Sequence, residues 1–226
     1  MFGDDALTAL RQETRALSTV LHELNPAQFT QPTNCPPWNL QELIVHMAAS
    51  IAIRNRFPTA EPQSVLASAA DYYRRPERDT PAYRQRNVDQ TQQLARTVLP
   101  DAAPARWFDQ ISRDTLARLG DDDLDRAVLV PGRGAMRLAD WIVTRVISIA
   151  AHGLDVAITL DRDPWTTGPA LTIIRPVFVD LLGSEPPASL QWDDQALLAT
   201  ATGRRLLTDC ERMLLGSRQA RFPLLS

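Results

Sequence analysis

The sequence predicts an all-α protein organised around a bundle of long helices. Three observations carry this. Apolar residues recur at spacings of three and four along most of the chain. Capping residues and Pro or Gly stops punctuate those stretches. Strand signals are weak and confined to one segment, with no internal repeat and no Gly-rich phosphate loop. Several long helices with short connections make a four-helix bundle the expected architecture.

Each element has its own signal. Leu7, Leu10, Leu17, Leu21 and Leu24 mark a first helix, with Asp4 or Asp5 as N-cap and Pro26 as stop. His22 falls off that stripe, near the helix end, and carries no special role. Asn39 and Glu42 form a capping-box pattern that opens a second helix. Between Leu43 and Ile53 only His46 and Ser50 are not apolar, so His46 should be buried whichever way that helix rolls. A short helix is expected over 62–73, before the polar run Arg74-Arg75-Pro76-Glu77-Arg78. That run reads as a solvated loop and a candidate for binding an anionic substrate.

Thr80-Pro81 opens a polar helix to Val98, and another runs from Asp101 to Leu119, closed by Gly120. Residues 127–137 look extended, with Pro131-Gly132 as a turn, forming a hairpin or a loop over one end of the bundle. The helix from Leu138 to Leu160 is the most apolar of the long ones, and His152 shares its buried side. Gly168-Pro169 opens a helix to Leu182 that Pro176 should kink or split. Thr208 and Glu211 cap a short element ending near Gly216. Residues 1–165 are read as the bundle and 166–226 as a helical extension packed on it, together one structural unit.

Composition narrows the function. The chain has 226 residues, 44% hydrophobic and 23% charged, which is enough for one good core. A formal net charge of −3 attracts neither nucleic acid nor anionic lipid. No apolar run reaches the roughly 18–20 residues of a membrane span, and the N-terminus lacks signal-peptide character. Cys35 and Cys210 match no metal spacing, so both are expected as reduced thiols in a cytoplasmic protein. Cys35 reads as a buried structural thiol, Cys210 as incidental, and Trp38 as a packing anchor. All 24 basic residues are arginine, a bias of GC-rich bacterial genomes.

The chemistry rests on histidine. Two of the chain's three histidines, His46 and His152, fall on helices that read as core elements. A core imidazole needs a partner: a backbone group, its fellow, or a metal shared between two helices. Ser148 lies one turn before His152 on the same face.

Two motifs carry a family resemblance. Cys-Pro-Pro-Trp-Asn-Leu-Gln-Glu-Leu-Ile-Val-His (35–46) resembles the signature Cys-Pro-Gly-Trp-Ser/Thr-Val-x-Asp/Glu-Leu-x-x-His of the mycothiol-dependent maleylpyruvate isomerase family, within the DinB-like superfamily. Arg145 through Asp155 resembles its second signature, Arg-x-x-Glu-x-x-x-His-x-x-Asp. The tail from Thr202 to Leu225 is similar to the end of many short members. The resemblance implies a DinB-like four-helix bundle with extra short helices and a short C-terminal extension. It implies a divalent metal, often zinc, on His46, His152 and a glutamate. The metal activates a low-molecular-weight thiol, mycothiol in actinobacteria, against a small electrophile, giving an isomerase or an S-transferase. A homodimer is compatible with the apolar helices of this type of bundle.

This chain departs from the pattern at the glutamate, where it has Ser148. A serine hydroxyl is neutral and a poor zinc ligand, so the site loses a charge and a bond. Asp155, seven residues on, is nearly on the same face and offers a carboxylate, though in the family it serves behind the ligands. Glu42 and Asp140 could serve only if the helix ends converge. Arg145 either faces the pocket or pairs with a carboxylate. Arg145 and Asp155 are thus the candidate catalytic side chains, and His46 and His152 the candidate ligands. Two other readings stay open: a metal-free enzyme using both histidines as acid and base, and a binding protein that kept the bundle without catalysis.

Overall fold

The computed structural model describes residues 3–53, 57–61, 63–75, 80–99 and 103–225. Four long helices form the bundle: α1 (Gly3–His22), α2 (Leu40–Ile51), α5 (Pro104–Gly120) and α6 (Leu138–Leu160). Around the ring α1 touches α5 and α6, and α2 touches the same two from the other side. A polar helix, α4 (Pro81–Val98), packs on α2 and buries only Thr91 and Ala95. On the opposite flank α7 (Gly168–Leu182) packs on α1 and α6. The short α3 (Ala69–Tyr73) touches α6 and α7, and α8 (Asp194–Ala201) covers α7. The last helix, α9 (Asp209–Leu215), carries the Thr208–Glu211 capping box read from the sequence. The protein is mostly α, as expected.

Helix signals decide most boundaries. The apolar stripe of α1 is buried at Leu7, Leu10, Leu17 and Leu21. Asp4 and Asp5 lie inside its first turn rather than at the cap, where they oppose the positive end of the helix dipole. His22 ends α1 and bonds Asp109 of α5 at 2.6 Å on the exposed side. Asn39 and Glu42 form a reciprocal capping box, each bond 3.1 Å, which uses the Glu42 carboxylate and removes it from any site. Asp140 is likewise engaged, accepting from the Ala69 backbone at 3.3 Å.

Two expectations need correction. The helix over 62–73 reduces to α3; Pro62 lies outside the described residues, and the stretch before α3 is extended. Its backbone bonds the hairpin β1 (Ala127–Val130) and β2 (Gly134–Arg137) instead, through Ala60–Ala127 and Ala67–Ala135. Pro176 neither splits α7 nor ends it. The proline removes one ladder bond, and burial of Ile173, Ile174, Val177 and Phe178 outweighs that loss. The start of α5 falls at Pro104; positions 101 and 102 lie outside the described residues.

Helix α6 is long and apolar enough to cross a membrane by length and composition alone, a point the apolar-run reading missed. Yet 78% of its apolar window is buried inside the fold, and the helix carries Arg145, His152 and Asp155. It is the central helix of the core.

One buried carboxylate outside the bundle's centre has a measurable consequence. Glu13 is 1% exposed and accepts from the Thr167 backbone at 2.9 Å and its hydroxyl at 2.8 Å, tying α1 to the start of α7. Burial pushes its acid up to about 6, against the pull of the Thr167 bonds. A raised acid favours folding fully below its unfolded value of 4.5, and that contribution is lost as pH rises through about 6. Relative to the wild type, Glu13→Gln should therefore gain on the order of 1–2 kcal/mol between pH 4 and pH 8. Urea denaturation at both pH values measures it; parallel pH profiles would refute the assignment.

Candidate functional site

His46 on α2 and His152 on α6 meet across the bundle. Their ring centroids are 5.1 Å apart and the rings are perpendicular. The Trp38 ring, 8% exposed, lies 4.5 Å from that of His46 and braces it from the entrance of α2. Thr91 of α4 meets His46 Nδ1 at 3.3 Å. Each histidine is thus held by a polar contact on Nδ1.

The contact on His152 is the stronger. Asp155, three residues along the same helix and fully buried, lies 2.8 Å from Nδ1. A carboxylate only accepts, so Nδ1 carries the proton and Nε2 is the nitrogen left for chemistry. The same carboxylate accepts from Nε and Nη2 of Arg204 at 2.9 and 2.6 Å, from the Asn34 amide at 2.9 Å, and from the Cys35 thiol at 3.1 Å. Burial alone would raise the Asp155 acid, but the bonds and charges of His152 and Arg204 overcome it and hold it well below the usual range. Asp155 therefore serves behind His152 and is not itself presented to a ligand.

Cys35, His152 and Asp155 bring three ligand-type atoms within 4.8 Å of one another. The chemistry of the cluster argues against a cation there. Arg204 already neutralises Asp155. Burial, and then the neighbouring Asp155, push the Cys35 thiol up to about 12, and the thiol donates its proton to that carboxylate. The cluster is a buried ion pair with attendant donors. Cys35 is thus more than the packing thiol expected from its place before two prolines. Arg204 was not singled out by sequence reasoning; only the likeness of the tail to family members touched it, and no local spacing links it to α6.

Both histidines open on a cavity of about 320 Å³, also lined by Ser50, Arg145 and Ser148. Tyr72, Tyr83 and Arg133 form another wall, and Thr202, Arg204 and Leu225 close it from the C-terminal segment. A larger cavity of about 730 Å³ lies between α2, α4 and α5, but its lining holds neither histidine nor cysteine. The polar groups converge on the smaller one. Ser148 meets Ser50 at 3.3 Å. Ser50 gives its own proton to the Met47 carbonyl at 2.7 Å, so Ser148 is the donor of the pair.

Arg145, 8% exposed, resolves the alternatives left by the sequence. Its nitrogens donate to the Tyr72 hydroxyl at 2.7 Å, the Ser50 carbonyl at 2.8 Å and the Thr144 hydroxyl at 3.1 Å. All three acceptors are neutral, and no carboxylate pairs with it among the described residues. Of the Arg74–Arg78 run, Arg74 is spent on Asp71 and Asp180, and positions 76–79 lie outside the described residues.

The divalent metal implied by the sequence motifs does not fit this donor set. It would find two imidazoles, a hydroxyl already bonded to another hydroxyl, and a buried guanidinium alongside. Among the described residues, no Asp or Glu lines the cavity. Zinc at such a site lacks the anionic ligand that would offset the cation's charge and complete its coordination.

The sequence profile of the mycothiol maleylpyruvate isomerase N-terminal domain family matches residues 10–157, which include both histidines and Ser148. No curated protein matches the chain. Among solved structures, the chain is similar to a mutant of the mycothiol-dependent maleylpyruvate isomerase. That likeness is at 14% identity and a TM-score of 0.46, over 80% of this chain and 70% of the other.

Proposed function

The chain belongs to the mycothiol maleylpyruvate isomerase N-terminal domain family, and on that footing we propose that it is a thiol-dependent isomerase or S-transferase acting on a small electrophile in the His46–His152 cavity. The observation that carries this is the Asp155–His152 pair at 2.8 Å beside an open cavity. A carboxylate fixing the Nδ1–H tautomer leaves a basic Nε2, the arrangement of a general base.

The chemistry follows from the residues. A small thiol of the mycothiol type enters the cavity, and its S–H proton passes to His152 Nε2. The thiolate sulfur bonds to an electrophilic carbon, and the displaced electron pair moves onto a conjugated oxygen. His46, across from His152, donates a hydrogen bond to that oxygen as charge develops. In an isomerase the former double bond rotates, the C–S bond breaks with return of the electron pair, and the sulfur recovers its proton from His152. In a transferase a leaving group departs with the electron pair and the C–S bond remains. Asp155 stabilises the imidazolium formed in either course. The open cavity favours catalysis over a binding role without chemistry. We read residues 166–226 as an extension that completes the cavity wall, and the protein as working on small molecules.

The test is turnover of maleylpyruvate with and without mycothiol. Activity should require the thiol, and His152→Gln should lower kcat/KM by about 10²–10⁴-fold with an unchanged circular dichroism spectrum. Turnover without thiol, or a His152→Gln variant as active as the wild type, would remove the proposal.

A further inference from the structure

We propose that the cavity has changed sign: where the family motif predicts a cation, it takes a small oxyanion, held by Arg145 and the Ser50–Ser148 hydroxyl pair. The inference deepens the function proposed above by naming the chemistry of what enters, and rests on the cavity being the reaction site. Its test reads binding and not turnover, so the two can fail separately.

The argument is one of charge. Arg145 is 8% exposed and lies on α6 three residues before Ser148, on the same face. A buried guanidinium without an anion is expensive, because desolvation is not repaid by an opposite charge. The Tyr72 and Trp141 rings, 5.1 and 5.3 Å from the guanidinium carbon, offset part of that cost. They cannot neutralise the charge. Arg204, also in the wall, is matched by Asp155. A glutamate at position 148 would have supplied a negative charge one turn from Arg145 as well as a metal ligand. With Ser148 both are missing, and the residue that loses its counter-charge is Arg145.

An oxyanion supplies what the protein does not. Three of the five N–H groups of a guanidinium are used by Tyr72, Ser50 and Thr144, which leaves two. Two N–H groups on a planar fork suit a carboxylate or a phosphate. Ser50 connects the pieces: its carbonyl accepts from Arg145 and its hydroxyl meets that of Ser148. Ser148 can turn its donor from Ser50 to the ligand at the cost of one neutral bond.

The experiment is calorimetric titration of the tag-free full chain with maleate and, separately, with inorganic phosphate. At least one should bind the wild type, and which one does separates a carboxylate ligand from a phosphate. Affinity should fall about tenfold or more in Arg145→Gln, the scale of a charge-assisted hydrogen bond. Ser148→Glu should show the same fall, and it keeps the test valid if Arg145→Gln does not fold. Absence of binding by both anions, or binding unchanged in Ser148→Glu, overturns the proposal. So does one equivalent of zinc retained by the wild type through gel filtration.

Discussion

Asp155→Ala is expected to lower the unfolding free energy by about 3–5 kcal/mol, the scale of breaking a buried ion pair from one side. The magnitude follows from how much one carboxylate holds. Removing it leaves Arg204 without its counter-charge, the Asn34 amide and Cys35 thiol without an acceptor, and His152 without the group that fixes its tautomer. Arg204 keeps its bond to the Thr202 carbonyl but has no carboxylate left to face among the described residues. Chemical denaturation of wild type and variant measures the loss. A double variant with Arg204→Met should lose less than the sum of the single losses, because the two share one interaction. A cost for Asp155→Ala within about 0.5 kcal/mol of zero, the range of ordinary surface changes, would show that the cluster is not a buried unit.

The same carboxylate sets an acid limit. An acid depressed on folding contributes stability that is present above its unfolded value of 3.8, and is lost as pH falls through the folded one. The Asp155 contribution therefore persists through mildly acid solution and fails only in strong acid. Glu13 runs the opposite way, favouring the fold below pH 4.5 and losing that benefit through about 6. The two can be separated by repeating the pH series in Glu13→Gln.

The second large effect is at Trp38. Trp38→Ala should cost about 3–5 kcal/mol by opening a cavity at the entrance of α2. It should also release the ring of His46, which Trp38 meets at 4.5 Å. Trp38→Phe should be far milder. It keeps an aromatic face against His46 and deletes an indole N–H that is buried without a hydrogen-bond partner. Denaturation measures the stability, and imidazole resonances in NMR spectra report the order of His46. Equal losses in both variants would mean that packing against His46 is not what the ring provides.

The helices were legible wherever a cap and a stripe coincided. Asn39 with Glu42, Thr80 with Pro81, and Thr208 with Glu211 each marked a start that the structure keeps. The stretch before α3 was misread because Ala60 and Ala67 bond a hairpin far along the chain, and local periodicity cannot register such bonds. Helix α8 escaped notice because eight residues give too little of a stripe.

The site was legible in part, and for a different reason. His46 and His152 stood out because a polar ring on an otherwise apolar helix face demands a partner. What surrounds them did not. Cys35 and Asp155 are 120 positions apart, and Arg204 reaches Asp155 across 49. Arg145 posed a choice between pocket and ion pair that only its actual neighbours could decide, and those are Tyr72, Ser50 and Thr144.

The wall supplied by Thr202, Arg204 and Leu225 also bears on how the protein is made. During synthesis the helices carrying His46 and His152 emerge well before that wall. Asp155 is therefore made before the guanidinium that will neutralise it. Until Arg204 arrives, the carboxylate is a charge awaiting burial, and the interior around His152 stays open to water. The site is closed by the segment made last, which lies far along the chain from both histidines.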